Sequence, residues 1–276
     1  MFLYLFYYYK IVIMKICLFR NNYLQSIATT KELKEKLKNI GEEITDINPD
    51  LVISIGGDGT FLSAVQKFSK QLSHIRFVGV HAGHLGFYSD WLIGEMDKLV
   101  SYIKKDQGQF VNYPILKGKI FYSNRKEIDL LAVNEIVLNR VEASLAVNVF
   151  INGEFFEHFR GDGLVISTPT GSSAYNKSLG GALIDPALFS LQMTEMASIN
   201  NNIYRTLGSP VIISPDSFIE IKPEIGNSRI SYDNGDLPIL NFKKVSFKIS
   251  NKKLKIANYR KISFWQRIRK SFIGEK

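Results

Sequence analysis

Hydrophobic positions follow two different rhythms along this chain. In the first hundred residues, short apolar runs alternate with stretches of helical spacing. Lys15–Phe19, Leu51–Ile55 and Ile75–Val80 read as buried strands. Between them, Leu33, Leu37 and Ile40 recur at helical spacing, so a helix is predicted over Thr29–Asn39, with Thr29 and Glu32 as a capping box and Gly41 as its stop. Further helices are predicted over Thr60–Phe68 and Leu92–Lys105. Strands alternating with helices argue for a parallel, doubly wound α/β sheet.

Past Pro114 the rhythm shortens. Ile115–Tyr122, Leu130–Leu138, Leu145–Ile151, Phe155–Phe159 and Leu164–Ser167 read as strands, and Asn152-Gly153 between two of them is a hairpin signal. Phe218–Lys222, Arg229–Tyr232, Val245–Ile249 and Leu254–Tyr259 continue the pattern, giving an all-β unit with one irregular stretch in its middle. The predicted division is an α/β domain over 1–112 and a β-rich domain over 113–259. The tail, 260–276, is expected to pack back on the first.

Composition changes this picture in three places. Over 276 residues, 45% hydrophobic and 22% charged content excludes a disordered chain, a collagen-like chain and a simple coiled coil. A single cysteine, Cys17, excludes an intrachain disulfide and a multi-cysteine zinc site, and it fits a reducing, cytoplasmic setting. The net charge of +9 is concentrated in the tail, where nine Lys and Arg against one Glu after residue 250 give +8. Such a tail suits a solvated arm or a nucleic-acid or membrane patch. Because Trp265, Ile268 and Phe272 recur at helical spacing, a docked helix is expected instead, with no nucleic acid or membrane as partner. The opening Met1–Met14 stretch is apolar, but Lys10 and Lys15 break it well short of the ~18 residues of a membrane helix. Met14 is a candidate start of translation.

The candidate chemistry lies in loops. Gly56-Gly57-Asp58-Gly59-Thr60 stands between a predicted strand and a predicted helix. Glycines there let backbone N–H groups approach a phosphate, and the helix start adds partial positive charge. Gly56, Gly57, Gly59 and Thr60 are therefore the candidate phosphate-donor loop. A carboxylate in such a loop repels an anion unless it acts as a base or through a metal, which singles out Asp58. Neither the P-loop pattern nor the dinucleotide fingerprint fits, since no Lys-Ser/Thr follows and Leu62 stands in place of the last glycine. Asn134-Glu135 interrupts an apolar strand, either at a strand end or at a cleft that holds a ribose or a metal. Thr168–Asn176 places hydroxyls, a glycine and the Tyr175 ring on one loop, either an ordinary polar loop or one suited to a sugar and a base. The four histidines show no metal-ligand spacing.

In order along the chain stand GGDGT (56–60), GHLGF (83–87), NE (134–135), RGDG (160–163), TPTGSSAY (168–175), Gly180-Gly181 and TEMAS (194–198). This set closely resembles the bacterial NAD kinases, also called inorganic polyphosphate/ATP-NAD kinases, and the resemblance runs from about Met14 to the end. GGDGT alone is shared with lipid kinases of the diacylglycerol type; the combination is specific. The resemblance implies an α/β domain followed by a β-sandwich-like domain, and transfer of a phosphoryl group from ATP or polyphosphate to the 2′-hydroxyl of the adenosine ribose of NAD. It makes Asp58 the proton acceptor and, with Gly59, a contact to NAD. Asn134 and Glu135 would hold the dinucleotide, and Arg160 and Asp162 would reach it near the nicotinamide. Ser173, Ala174, Tyr175, Asn176, Lys177 and Ser178 would bind the adenine side, and Ala197 would complete the pocket. It further implies a divalent cation, Mg²⁺ by preference, and a homodimer or homotetramer with sites near subunit contacts. Asp233-Asn234-Gly235-Asp236 departs from the resemblance in the neighbour of the Asp, and its role is left open. Two alternatives stand beside this reading: a lipid kinase, and a nucleotide-binding regulator without catalysis.

Overall fold

The computed structural model describes residues 13–81, 83, 86–140, 143–202, 204–224, 228–239 and 241–274. The stretch before Ile13, and with it the question of a start at Met14, lies outside the described residues, as do His84 and Leu85 of the GHLGF motif.

The first half runs β1 (Lys15–Arg20), α1 (Leu24–Asn39), β2 (Glu43–Ile44), β3 (Leu51–Ile55), α2 (Asp58–Lys67), β4 (Arg76–His81), β5 (Trp91–Leu92) and α3 (Met96–Lys104). All pairs among β1, β2, β3, β4 and β5 are parallel. Leu33 and Leu37 of α1 and Leu99 and Ile103 of α3 pack on one face of this sheet with Ile16, Ile53 and Val78. Phe61 and Val65 of α2 pack on the other with Cys17, Val52 and Phe77. Helices on both faces make the sheet doubly wound, as the alternation predicts.

The second half runs β6 (Phe110–Tyr122), β7 (Glu127–Ala132), β8 (Glu135–Asn139), β9 (Leu145–Ile151), β10 (Glu154–Gly161), β11 (Gly163–Ser167), the one-turn helix α4 (Tyr175–Ser178), β12 (Leu191–Met196), β13 (Val211–Ile213), β14 (Phe218–Pro223), β15 (Ser228–Tyr232), β16 (Gly235–Ile239) and β17 (Phe242–Ala257), and α5 (Phe264–Ile268) opens the tail. One sheet, in the order β13-β12-β11-β8-β15-β16, faces the antiparallel part of the other, which contains β9, β14, β17, β6 and β7. Ile136, Leu164, Met193 and Ile230 from the first meet Leu116, Val147, Ile219 and Phe247 from the second in one dry core, which makes the unit a sandwich.

Several boundaries differ from the sequence reading, each for a physical reason. Helix α1 starts at Leu24, and Thr29 lies inside it with its hydroxyl donating back to the Gln25 carbonyl at 2.8 Å. A threonine that satisfies its hydroxyl against its own helix needs no capping position. The run Leu130–Leu138 divides into β7 and β8, which belong to different sheets, so Val133 and Asn134 are the crossing between them. The runs 245–249 and 254–259 form one long strand, β17, with a bulge after Ile249. Beyond the bulge β17 pairs with β4 in parallel through Lys255 and Ile256, so the α/β sheet and one sandwich sheet are continuous. The division at residue 112 falls within β6.

The tail docks as a helix. Ser263 caps α5, its hydroxyl accepting the Gln266 N–H at 3.1 Å while Gln266 accepts the Ser263 N–H at 2.9 Å. Ile268 is buried, Phe264 and Phe272 tilt against Phe87, and Arg260 forms a two-pronged pair with Glu95 while lying 4.1 Å from the Trp91 ring.

Candidate active site

The GGDGT loop joins the end of β3 to α2. Gly56 has φ +154°, and a side chain there would collide with Thr60 and Asn21, so only glycine makes this turn. Asp58 is thereby placed in the first turn of α2, where backbone N–H groups lack helical partners and the helix end is electropositive. Its carboxylate accepts the N–H of Phe87 at 2.9 Å and of Tyr88 at 3.0 Å. Gly86 lies so close that an added Cβ would sit 2.4 Å from the Asp58 Oδ1. Asp58 is therefore clamped by the turn Gly86–Ser89, and its orientation is set before any ligand arrives.

Tyr88 carries the arrangement across to the sandwich. Its ring stacks on Phe61 of α2 at 4.9 Å, and its hydroxyl donates to the Asn134 side-chain carbonyl. Burial pushes the Tyr88 phenol well up, aided by the Asp233, Asp58 and Glu135 carboxylates, so it stays a proton donor. Asn134 is held on every side. Its N–H donates to Asp233 at 2.8 Å, as does that of Val133, and its carbonyl accepts the Thr168 N–H at 2.9 Å. Thr168 and Thr170 hydroxyls both donate to the Val133 carbonyl, so the TPTG segment exists to fasten the strand crossing. Asn234, next to Asp233, donates to the Gly59 carbonyl and to Ser63 on α2.

Glu135 is buried, and its Oε2 has no hydrogen-bond partner. Desolvation, with the Asp233 charge second, pushes its carboxyl up to about 8. Burial likewise raises the Asp233 carboxyl, against the lowering effect of the amides it accepts. A folded-state carboxyl raised from 4.5 means the native protein holds more protons than the unfolded chain between those values. Its contribution to stability is then fullest below about pH 4.5 and is lost as pH rises toward 8. Glu135→Gln is expected to flatten that decline, which has a slope of up to about 1.4 kcal/mol per pH unit. Urea midpoints at pH 5, 6.5 and 8 check this; an unchanged slope in the variant contradicts it.

The sequence-predicted residues fall into three groups. Gly56, Gly57, Asp58, Gly59, Thr60, Asn134 and Glu135 come together through Tyr88 and Asp233, and Ser173 joins them through its bond to the Thr170 carbonyl at 3.1 Å. Ala174–Ser178 lie on the loop over the outer face of the smaller sheet. There Asn176 is buried against Thr194 at 2.6 Å, Lys177 lies 4.2 Å from the Phe272 ring, and Tyr175 is 43% exposed. Arg160, Asp162 and Ala197 are not brought to Asp58. They sit at the opposite end of β11, whose last residue, Ser167, pairs with Glu135 while its first, Gly163, pairs with Asn139. Six residues of extended chain from Asp162 to Thr168 amount to roughly 20 Å. There Arg160 donates to Ser144 and Tyr204, and Ala197 holds a left-handed φ of +44°.

One contributor was not singled out from sequence, and the role of a second was left open there. Tyr88 directly follows GHLGF, and its position there was the available signal. Asp233 sits in the two-residue turn between β15 and β16; the Asn234-Gly235 pair after it is a hairpin signal that also finds β16. Among the described residues no three His, Cys, Asp or Glu side chains gather as a cation cage. The donor set here, one carboxylate at the head of α2, fits a divalent cation that takes most of its oxygen ligands from elsewhere.

Comparison with known proteins agrees across most of the chain. The ATP-NAD kinase N-terminal domain matches residues 17–107 and the ATP-NAD kinase C-terminal domain matches 133–259. An NAD kinase of Leuconostoc mesenteroides is 43% identical over 262 residues, covering 95% of this chain and 99% of that protein. Among solved structures, yeast NADH kinase complexed with NADH matches at TM-score 0.79 and 20% identity, covering 95% of this chain and 88% of that one. An NAD kinase from Archaeoglobus fulgidus in complex with ATP matches at TM-score 0.73 and 20% identity, covering 95% and 98%.

Proposed function

This chain belongs to the ATP-NAD kinase family, and from that premise we propose that it transfers the γ-phosphoryl group of ATP to the 2′-hydroxyl of the adenosine ribose of NAD, forming NADP. The observation that carries the reading is the clamped Asp58 carboxylate at the head of α2, one tyrosine away from Asn134. Phosphoryl transfer passes through a loose transition state, so positioning and charge neutralisation do most of the work. Asn134 and Glu135 offer polar groups to the dinucleotide, and Asp58 orients the hydroxyl and takes its proton. The backbone N–H groups of Gly57, Asp58 and Gly59, at the start of α2, are the donors for the phosphates, since that of Thr60 is taken by the Gly57 carbonyl at 2.9 Å. A divalent cation bound with those phosphates would offset their charge, and Asp58 is the residue of the loop that could hold it. A lipid kinase shares the glycine loop but has no use for the Thr168–Ser178 loop. Incubation with ATP, Mg²⁺ and either NAD or diacylglycerol decides between them; product from the lipid and none from NAD overturns the proposal. Inorganic polyphosphate in place of ATP tests the second donor.

Arg160, Asp162 and Ala197 lie the length of β11 away from Glu135, and a second copy of the chain would bring them to the far end of a dinucleotide held at Asp58, the arrangement of a homodimer or homotetramer. Asp162→Ala is expected to lose activity alone. Mixed with Asp58→Asn under conditions of subunit exchange, it should recover a measurable fraction. No recovery from exchanged oligomers counts against shared sites.

A further inference from the structure

We infer that Arg267, in the C-terminal tail, is a positioning residue for Asp58. The inference rests on the proposed role of Asp58 as proton acceptor. Arg267 lies on α5, and its side chain is nearly enclosed, with 10% exposure. One guanidinium nitrogen donates to the carbonyls of Gly86 at 2.9 Å and Ser89 at 3.1 Å, and the other pairs with Asp90. These three contacts bracket Phe87 and Tyr88, the two residues whose N–H groups hold the Asp58 carboxylate. The fork therefore grips the clamp from behind while Asp58 occupies its front. Gly86 lies against that same carboxylate, so the turn has little room to slide without moving Asp58. The tail also packs Phe264 and Phe272 around the Phe87 ring, at 6.4 and 5.9 Å.

The residue type suits this job. Two carbonyls and a carboxylate at different directions need a planar fork with several donors, which arginine supplies and lysine does not. Docking of the tail does not depend on this guanidinium. Ile268 is buried, Ser263 caps the helix, Trp265 donates to Asp185 at 2.9 Å, and Arg260 pairs with Glu95. Among the described residues the Arg267 guanidinium bonds only to residues 86–90, so its removal should loosen the turn and leave the tail in place.

Arg267→Met keeps the stem and removes the fork; Arg267→Lys keeps one charge. Amide exchange at Phe87 and Tyr88 is measured without substrate, and kcat and KM for NAD are measured alongside. In Arg267→Met, exchange at those two amides is expected to rise at least ~10-fold, while amides in β3 and β4 stay protected. kcat should fall ~10-fold or more with KM changed less than ~2-fold, because a small displacement of a reacting group costs rate more than binding. Arg267→Lys should fall between, and it carries the same readouts should Arg267→Met not fold. Wild-type exchange at Phe87 and Tyr88 overturns the inference, as does faster exchange with unchanged kcat. Should the wild-type protein form no NADP, the kinase reading fails by itself, and the exchange result still decides whether Arg267 fixes the clamp.

Discussion

Asp58→Asn is expected to lower turnover at least ~100-fold while NAD still binds, since general-base assistance is typically worth ~10²–10⁴ in rate. The geometry makes the comparison a clean one. The carboxylate accepts one N–H on each oxygen, from Phe87 and Tyr88, so the substituted side chain enters the same clamp with almost the same shape. Its amide nitrogen must face one of those donors, which costs one hydrogen bond and about 1–3 kcal/mol of stability. Initial rates of NADP formation, taken well below the melting temperature of the variant, separate the two effects. Turnover near that of the wild type in a folded Asp58→Asn protein removes Asp58 from the role of base.

The largest loss of stability is expected from Asp233→Leu. That carboxylate accepts the N–H groups of Val133 and Asn134, both at 2.8 Å, and Gln66 of α2 at 3.4 Å. Leucine leaves both backbone donors unpaired beside the buried crossing, at about 1–3 kcal/mol each. Part of this is offset, because the enclosed carboxylate is itself strained by desolvation, as its raised proton affinity shows. A net loss of about 2–4 kcal/mol follows, read as a lower urea midpoint at unchanged slope. Asp233→Asn keeps one acceptor and should lose less. Equal midpoints for Asp233→Leu and wild type would show that the crossing holds without its clamp. Because Asn134 hangs from the same bonds, the Leu variant should also bind NAD more weakly.

Local patterns carried much of this molecule. Strands β3 and β9 have the predicted ends, helix α2 starts two residues before its predicted start, and the GGDGT turn lies where a strand meets a helix. The Asn152-Gly153 turn joins Ile151 directly to Glu154. These features arise from neighbours in the chain: alternation, helical spacing and the conformations that glycine and asparagine tolerate. The polar pair Asn134-Glu135 inside an apolar run was also visible, but its cause was not. It marks the point where the chain passes from one sheet to the other, and which sheet each half joins depends on partners far away, β6 for one and β11 with β15 for the other.

The motifs on which the family resemblance stands are legible one by one, since each is a short turn with its own backbone demands. Their assembly is not. Phe87 and Tyr88 reach Asp58 across about thirty residues, Asp233 reaches Asn134 across 99, and Arg267 reaches Gly86 across 181. No periodicity encodes such separations, because a hydrogen bond between distant segments leaves no spacing in the chain. The same holds for the separation of Arg160, Asp162 and Ala197 from Asp58. Arg160 and Asp162 are close to Thr168 in sequence, yet β11, rigid and extended, separates them by the length of the sheet, and Ala197 joins them there because β12 runs antiparallel beside β11.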